Sequence, residues 1–262
     1  MKRRDFISTA AAGVAGNSLL QAQTTAKTPF YELRFYRMHQ GDQGRRMNEF
    51  FSRTLMPLAR KSGFPKPPFG PWGFFNVEMG PTPTLVMLLG FPSFADREIV
   101  RQTLYGQAEF LKSVEALEAD AEPPYDRLDS SLLMGMPFSP ALRVADAPVK
   151  PPRVFELRVY ESRTLRHQNA LVRRMADPEV AIFKKSGFDN IFFSTAVIGA
   201  HMPNFTYMIA FDDMAARDKA WAAFRADPEW VKVREASIKE SGQIVSNITN
   251  YILRPTAYSP MQ

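Results

Sequence analysis

The sequence has no cysteine and only three histidines. The first absence excludes disulfides, thiolate metal sites, iron–sulfur clusters and cysteine nucleophiles. It fits an oxidising compartment without requiring one. The histidines stand at positions 39, 167 and 201, none at ligand spacing to another. No His-Glu-x-x-His or carboxylate cluster accompanies them, so no metal site is expected and loop or surface roles fit better. There is no glycine-rich phosphate loop, and Ser62-Gly63 and Ser241-Gly242 read as helix ends rather than nucleophile elbows. No motif calls for a cofactor. The net charge is +6, but Lys2, Arg3 and Arg4 against Asp5 supply +2 of it, leaving +4 on the remainder. Without a Lys/Arg run of five or more, that remainder gives no reason to expect a nucleic-acid partner.

What is present starts with an address. Residues 2 to 7 read K-R-R-D-F-I, which resembles the twin-arginine translocation motif, with Arg3 and Arg4 as the paired arginines. The following stretch, Ser8 to Leu20, is rich in Ala, Gly and Ser and is shorter than the roughly 20 apolar residues of a membrane span. Residues 1–26 are therefore expected to be a signal peptide, cleaved after Ala22 or alternatively after Ala26. The resemblance implies export to the periplasm in the folded state, with no integral membrane segment after processing. With 45% hydrophobic and 23% charged residues, the rest has the composition of a globular protein.

An internal repeat emerges when the chain is slid against itself by 124 residues. Tyr31-Glu32-Leu33-Arg34-Phe35-Tyr36 then lies over Phe155-Glu156-Leu157-Arg158-Val159-Tyr160, and Lys61-Ser62-Gly63-Phe64 over Lys185-Ser186-Gly187-Phe188. Further on the offset becomes 120, matching Arg97 to Arg217 and Glu109-Phe110 to Glu229-Trp230. A loop deletion between duplicated units explains the change. The first unit is placed at 29–136 and the second at 153–256, with the Pro-rich stretch 137–152 as a linker.

Each unit has the same element order. A half-buried strand opens it, with Leu33 and Phe35 on one face and Glu32, Arg34 and Tyr36 on the other. A helix follows with Met47, Phe50, Phe51, Leu55 and Leu58 on one stripe; Gly63 ends it, and Pro57 is expected to kink it. Two strands come next, Trp72 to Met79 and Thr84 to Phe91, matched by Ile191 to Ile198 and Phe205 to Phe211. Ser93 with Asp96, and Asp227-Pro228, then begin helices, and strands at Arg127 to Met134 and Val245 to Leu253 close the units. The order β-α-β-β-α-β is the ferredoxin-like, α+β arrangement.

Several of these segments together resemble the NIPSNAP family. They are E-L-R-x-Y opening both copies, K-S-G closing the first helix, Glu78-Met79-Gly80-Pro81 in the first hairpin, strands running into Arg97 and Arg217, and Asp227-Pro228-Glu229-Trp230. The resemblance spans about residues 30 to 255. It implies a dimeric α/β-barrel fold with two ferredoxin-like sheets facing each other, here both from one chain. It carries over no catalytic residue and no cofactor. The strand at Val86-Met87-Leu88-Leu89 departs from the family pattern in lacking its histidine and tryptophan, which weakens a polar role there.

The candidate ligand-binding residues are the stripe Glu32, Arg34 and Tyr36, its copy Glu156, Arg158 and Tyr160, and Tyr251 on the last strand. In a strand the members of each stripe share a face, and the expectation is that this face lines the barrel interior. A guanidinium, a carboxylate and a phenol together could hold an anionic or carbonyl group and move a proton. The structural alternative, favoured because the stripe occurs twice, pairs Glu with Arg to hold the two sheets in register. Met79, Met87, Met134 and Met136 are expected as core filler rather than a soft-metal site. The leading functional expectation is a periplasmic module binding a small apolar or amphipathic ligand, or a partner protein, with homo-oligomers allowed. The alternative is a small enzyme of the dimeric α/β-barrel type, a cofactor-free oxygenase, an isomerase or a haem-using protein.

Overall fold

The computed structural model describes residues 28–66, 69–145 and 149–262. The signal-peptide expectation, with Arg3, Arg4, Ala22 and Ala26, lies outside the described residues. Each repeat builds a four-stranded antiparallel sheet backed by helices. In the first, β1 (Phe30–Arg37) runs into α1 (Gln43–Phe50), a π-helical turn Phe51–Leu55 and α2 (Met56–Lys61). Then come β2 (Trp72–Met79), β3 (Thr84–Phe91), α3 (Phe94–Tyr105), α4 (Ala108–Glu118) and β4 (Arg127–Gly135). The second repeats the order: β5 (Val154–Glu161), α5 (Leu165–Arg174), a π-helical turn Met175–Glu179, α6 (Val180–Lys185), β6 (Asp189–Ile198), β7 (Asn204–Phe211), α7 (Met214–Ala226), α8 (Pro228–Ser241) and β8 (Asn247–Pro255).

The two sheets close into one barrel in the order β1-β3-β2-β8-β5-β7-β6-β4. Each half alone has strand order 4-1-3-2. The seams are β2 with β8 and β4 with β6, both antiparallel, so every strand has two neighbours and no sheet edge is left.

Local chemistry explains the elements. Gly63 and Gly187 take φ of 88° and 95°, the left-handed conformation that ends each first helix, where a side chain would be strained. The π-helical turns sit next to Pro57 and around Pro178, where a missing N–H interrupts the regular ladder. Asp177 leaves helical geometry altogether (φ −155°, ψ 118°). The expected caps form: Ser93 accepts from the Asp96 N–H, and Asp227 from the N–H groups of Glu229 and Trp230.

Three apolar layers result. The barrel interior is filled from both repeats, by Tyr31, Leu33, Phe35, Phe75 and Val86 meeting Phe155, Leu157, Phe192, Met208 and Leu253. Outside it, each half-sheet packs on its own helices, Phe74, Leu85 and Leu89 in the first repeat and Phe193, Ile209 and Phe211 in the second. β3 and β7 are buried along their whole length because both faces are covered. Burying each such large side chain contributes roughly 1.5–3 kcal/mol. The Pro-rich stretch after β4 is not a free tether: Leu142 packs on the interior cluster and Ser139 Oγ accepts from the Phe193 N–H. The chain end folds back too, burying Met261 in the same cluster. Of the four methionines expected as filler, Met87 and Met136 are buried, while Met79 and Met134 are exposed. Among the described residues no helix is long and apolar enough to cross a membrane.

Candidate functional site

The stripes do not face the barrel interior. On β1 it is Tyr31, Leu33 and Phe35 that point inward, while Tyr36 belongs to the layer beneath the helices and Glu32 and Arg34 line the same side. The second copy is identical in sense, with Phe155 and Leu157 inward and Tyr160 in the helix layer. The reason is energetic. An interior enclosed by eight strands has no helix beside it to bring a second charged partner, so it takes the apolar face. The charged face goes where α3 and α7 can each bring a second cation.

That second cation is the repeat-conserved arginine after β3 and β7. Glu32, nearly buried, accepts from Arg34 Nε at 2.8 Å, Arg97 Nε at 2.8 Å and Ser130 Oγ at 3.1 Å. Glu156, wholly buried, accepts from Arg158 Nη1 at 2.6 Å, Arg217 Nε at 2.7 Å and Trp221 Nε1 at 2.9 Å. Each carboxylate thus has two guanidiniums, and each helix arginine also faces a second carboxylate, Arg97 with Glu98 at 3.7 Å and Arg217 with Asp218 at 2.9 Å. These ion pairs tie helix to sheet; they do not hold the two sheets in register. Burial pushes the Glu32 carboxyl up, but hydrogen bonds and charge from Arg97 and Arg34 outweigh it and hold the group below its usual value. Burial keeps Tyr36 and Tyr160 protonated well into alkaline conditions, so both phenols remain donors.

Above each group lies a pocket between sheet and helices. The first repeat's is a compact cavity of about 160 Å³ walled by Phe50, Phe51, Trp72, Tyr105, Phe110 and Tyr125, with Glu32, Arg34, Tyr36 and Arg97 at its polar end. Trp72 is 1% exposed, and its indole N–H finds no acceptor among the described residues. The second repeat's is wider, about 610 Å³, and lined by Arg158, Tyr160, Arg174, Arg217, Trp221 and Trp230, among others. There the Tyr160 hydroxyl is engaged by Tyr207 at 2.8 Å, whereas the residue at the matching first-repeat position is Met87.

Of the sequence-predicted residues, then, Glu32, Arg34 and Tyr36 line one pocket and Arg158 and Tyr160 a separate one, with Glu156 fully buried against Arg158 and outside that lining. Tyr251 joins neither. It lies in the barrel interior against Phe35, with ring centroids 5.1 Å apart, and its hydroxyl accepts from Arg37. Sequence reasoning assigned no site role to Arg97, Arg217, Trp72, Arg174 or Trp230. The matched arginines were visible in the repeat; the others carried no pattern until the helices were placed. His39 is exposed and bound to Asp126 and Glu122, His167 sits in the first turn of α5, and His201 occupies an exposed turn at φ 58°. Among the described residues no group of three or more His or acidic side chains could hold a metal ion.

Two ferredoxin-like sheets closed into one barrel, each with a pocket beneath its helices, define a fused dimeric α/β-barrel protein. The NIPSNAP family model matches residues 31–140 and 155–260, one match per repeat, and the chain belongs to the NIPSNAP family. The barrel is also similar to a candidate monooxygenase from Lactobacillus acidophilus, at 9% identity and TM-score 0.57, covering 87% of this chain and 94% of that one. A candidate monooxygenase from Fusobacterium nucleatum is similar at 7% identity and TM-score 0.57, covering 88% and 94%. An anthrone oxidase-like protein is similar at 14% identity and TM-score 0.54, covering 90% and 95%. At these identities the likeness is one of fold. No curated protein matches the sequence.

Proposed function

We propose that this chain is an exported, periplasmic small-ligand-binding protein whose first-repeat pocket holds a compact, mainly aromatic molecule with one electron-rich oxygen. The carrying observation is the aromatic-walled cavity with the Arg34 and Arg97 guanidiniums at its polar end. Arg34 and Arg97 both donate to Glu32, and Arg97 also faces Glu98 at 3.7 Å. A guanidinium carries five N–H donors, so a ligand oxygen seated there can accept from one that Glu32 does not engage. The aromatic walls supply the apolar contact area typical of small-molecule sites.

The test uses N-phenylnaphthylamine, an uncharged aromatic probe that brightens in apolar sites. Saturable binding to the mature chain is expected, and Leu104→Trp, which fills the cavity from α3, should abolish the first-pocket component. Unchanged binding in that variant overturns the reading. Native mass spectrometry of protein taken from the periplasm provides a second check, since a retained small molecule identifies its class directly.

A second reading, oxidation of the bound aromatic, is supported by the fold likeness to proteins described as monooxygenases and an anthrone oxidase-like protein. Within the first pocket Tyr36 would donate to a developing oxyanion and Arg34 would hold it. Oxygen consumption with anthrone as the trial substrate separates this reading from binding alone. Consumption that depends on Tyr36 supports it, and none at saturating anthrone rejects it.

A further inference from the structure

The two pockets are copies of one pocket, and comparison of matched positions shows that the second has gained three cationic positions and lost one, Arg101 of the first pocket being Trp221 in the second. Arg34 and Arg97 correspond to Arg158 and Arg217, and Phe110 corresponds to Trp230, so the polar end and one aromatic wall are retained. Three other lining positions change from apolar or phenolic to cationic: Phe50 to Arg174, Tyr105 to Arg225 and Val114 to Arg234. They come from three different helices, α5, α7 and α8, and meet only because the fold places them around one cleft.

One of the three is internally neutralised. Leu55 of the first repeat is replaced by Glu179, fully buried, which accepts from Arg174 Nε at 2.8 Å. Arg174 in turn lies over the Trp230 ring at 5.1 Å, and Arg158 over Trp221 at 4.6 Å. Arg225 and Arg234 have no carboxylate within ion-pair distance among the described residues. Like charges gathered around a concave, partly apolar surface repel one another and raise the local potential for an anion. The matching cleft of the first repeat is lined by three arginines, Arg34, Arg97 and Arg101, against five here, Arg158, Arg174, Arg217, Arg225 and Arg234.

We infer that the second-repeat cleft is a separate binding site for a small amphipathic anion, a carboxylate, sulfonate or phosphate ester carried on an apolar, preferentially aromatic body. The head group lies between Arg225 and Arg234, and the body lies along the tryptophan-lined wall. The cleft's larger volume, about 610 Å³ against 160 Å³, suits a longer ligand than the first pocket takes. This assignment concerns the second pocket alone and stands or falls apart from the reading of the first.

The test compares two probes sharing one aromatic body, anilinonaphthalene sulfonate and uncharged N-phenylnaphthylamine, on the mature full chain. The sulfonate is expected to bind one high-affinity site, weakened when NaCl is raised from about 50 to about 500 mM. Installing the first repeat's residues in the double variant Arg225→Tyr/Arg234→Val should lower sulfonate affinity roughly tenfold or more. Affinity for the uncharged probe should stay within about twofold. Both arginines are exposed and without a carboxylate partner, so the fold should survive; near-ultraviolet circular dichroism checks this. If the double variant fails that check, Arg234→Gln alone should still weaken the sulfonate severalfold. Leu104→Trp, which blocks only the first pocket, should leave sulfonate binding intact. Undiminished sulfonate affinity in the arginine variants, or its loss in Leu104→Trp, overturns the assignment.

Discussion

Arg217 and Glu156 are 61 residues apart in sequence, yet the guanidinium Nε of one donates to the carboxylate of the other at 2.7 Å, joining α7 to β5. Arg97 and Glu32 repeat the contact at 2.8 Å in the first half. Because each glutamate also keeps the arginine two residues along its own strand, no single arginine is its only partner.

Redundancy sets the order of mutational effects. Arg158→Leu should cost only about 1–3 kcal/mol, because Arg217 and Trp221 still bind the Glu156 carboxylate. Glu156→Leu should cost more, about 3–5 kcal/mol, since it leaves two partly buried guanidiniums facing each other without their anion. The double variant Arg158→Leu/Arg217→Leu should lose more than the two singles added together. Urea unfolding of wild type, the three single variants (Arg158→Leu, Arg217→Leu and Glu156→Leu) and the double variant measures all of this, and strict additivity would show that the two arginines act independently.

The closed barrel makes a specific claim about half-molecules. A chain starting at Gln23 and ending at Ala141 would expose β2 and β4, which in the intact protein pair with β8 and β6. Since β2 and β4 hold the positions that β6 and β8 hold in the other half, two copies of the first repeat can close a barrel on each other. Sedimentation should find dimers or aggregates. A stable folded monomer would contradict the shared interior formed by Tyr31, Phe75, Phe155 and Phe192.

Stability should fall with rising pH through one identifiable group. Burial holds the Glu179 carboxyl above the ordinary glutamate value of 4.5, against the pull of Arg174. The folded chain therefore binds this proton more tightly than the unfolded chain does. Its contribution is fully present at low pH and is lost as pH rises from 4.5 through the folded-state value. One such proton gives a slope of at most about 1.4 kcal/mol per pH unit. Glu179→Gln should flatten the pH dependence of the melting temperature in that window, and an unchanged profile would exclude Glu179 as its source.

Export should need both leader arginines. Arg3→Lys/Arg4→Lys is expected to retain the protein in the cytoplasm with its leader uncleaved. Wild-type mature protein should begin near Gln23, as read by N-terminal mass spectrometry of the periplasmic fraction. Undiminished periplasmic protein in the double variant would reject the twin-arginine assignment.

Much of the architecture was legible because local rules act on short stretches. β2 and β3 fall on the residues that their apolar runs and the intervening Gly80-Pro81 marked out. Gly63 and Gly187 end helices because only glycine takes their φ without strain, and Ser93 and Asp227 begin them because their side chains accept from free N–H groups. The two offsets, 124 and 120, identified the duplication and hence the ferredoxin-like pair.

The direction in which the stripes point was not legible. Alternation along β1 separates Glu32, Arg34 and Tyr36 from Tyr31, Leu33 and Phe35, but both sets are covered in the folded protein, one by helices and one by the opposite sheet. A period of two sorts side chains onto faces without naming the neighbour each face meets. Only closure of the barrel decided that the uncharged set goes inside, because there the second sheet offers apolar side chains and no counter-charge. Only the docking of α3 and α7 then brought Arg97 and Arg217, 65 and 61 residues from their partners, over Glu32 and Glu156. The sequence by itself determined the strands, the helix ends and the duplication, whose causes lie within a few residues. The pockets and their different numbers of cations were decided by tertiary structure, because they depend on side chains from separate elements that meet only when the chain is folded.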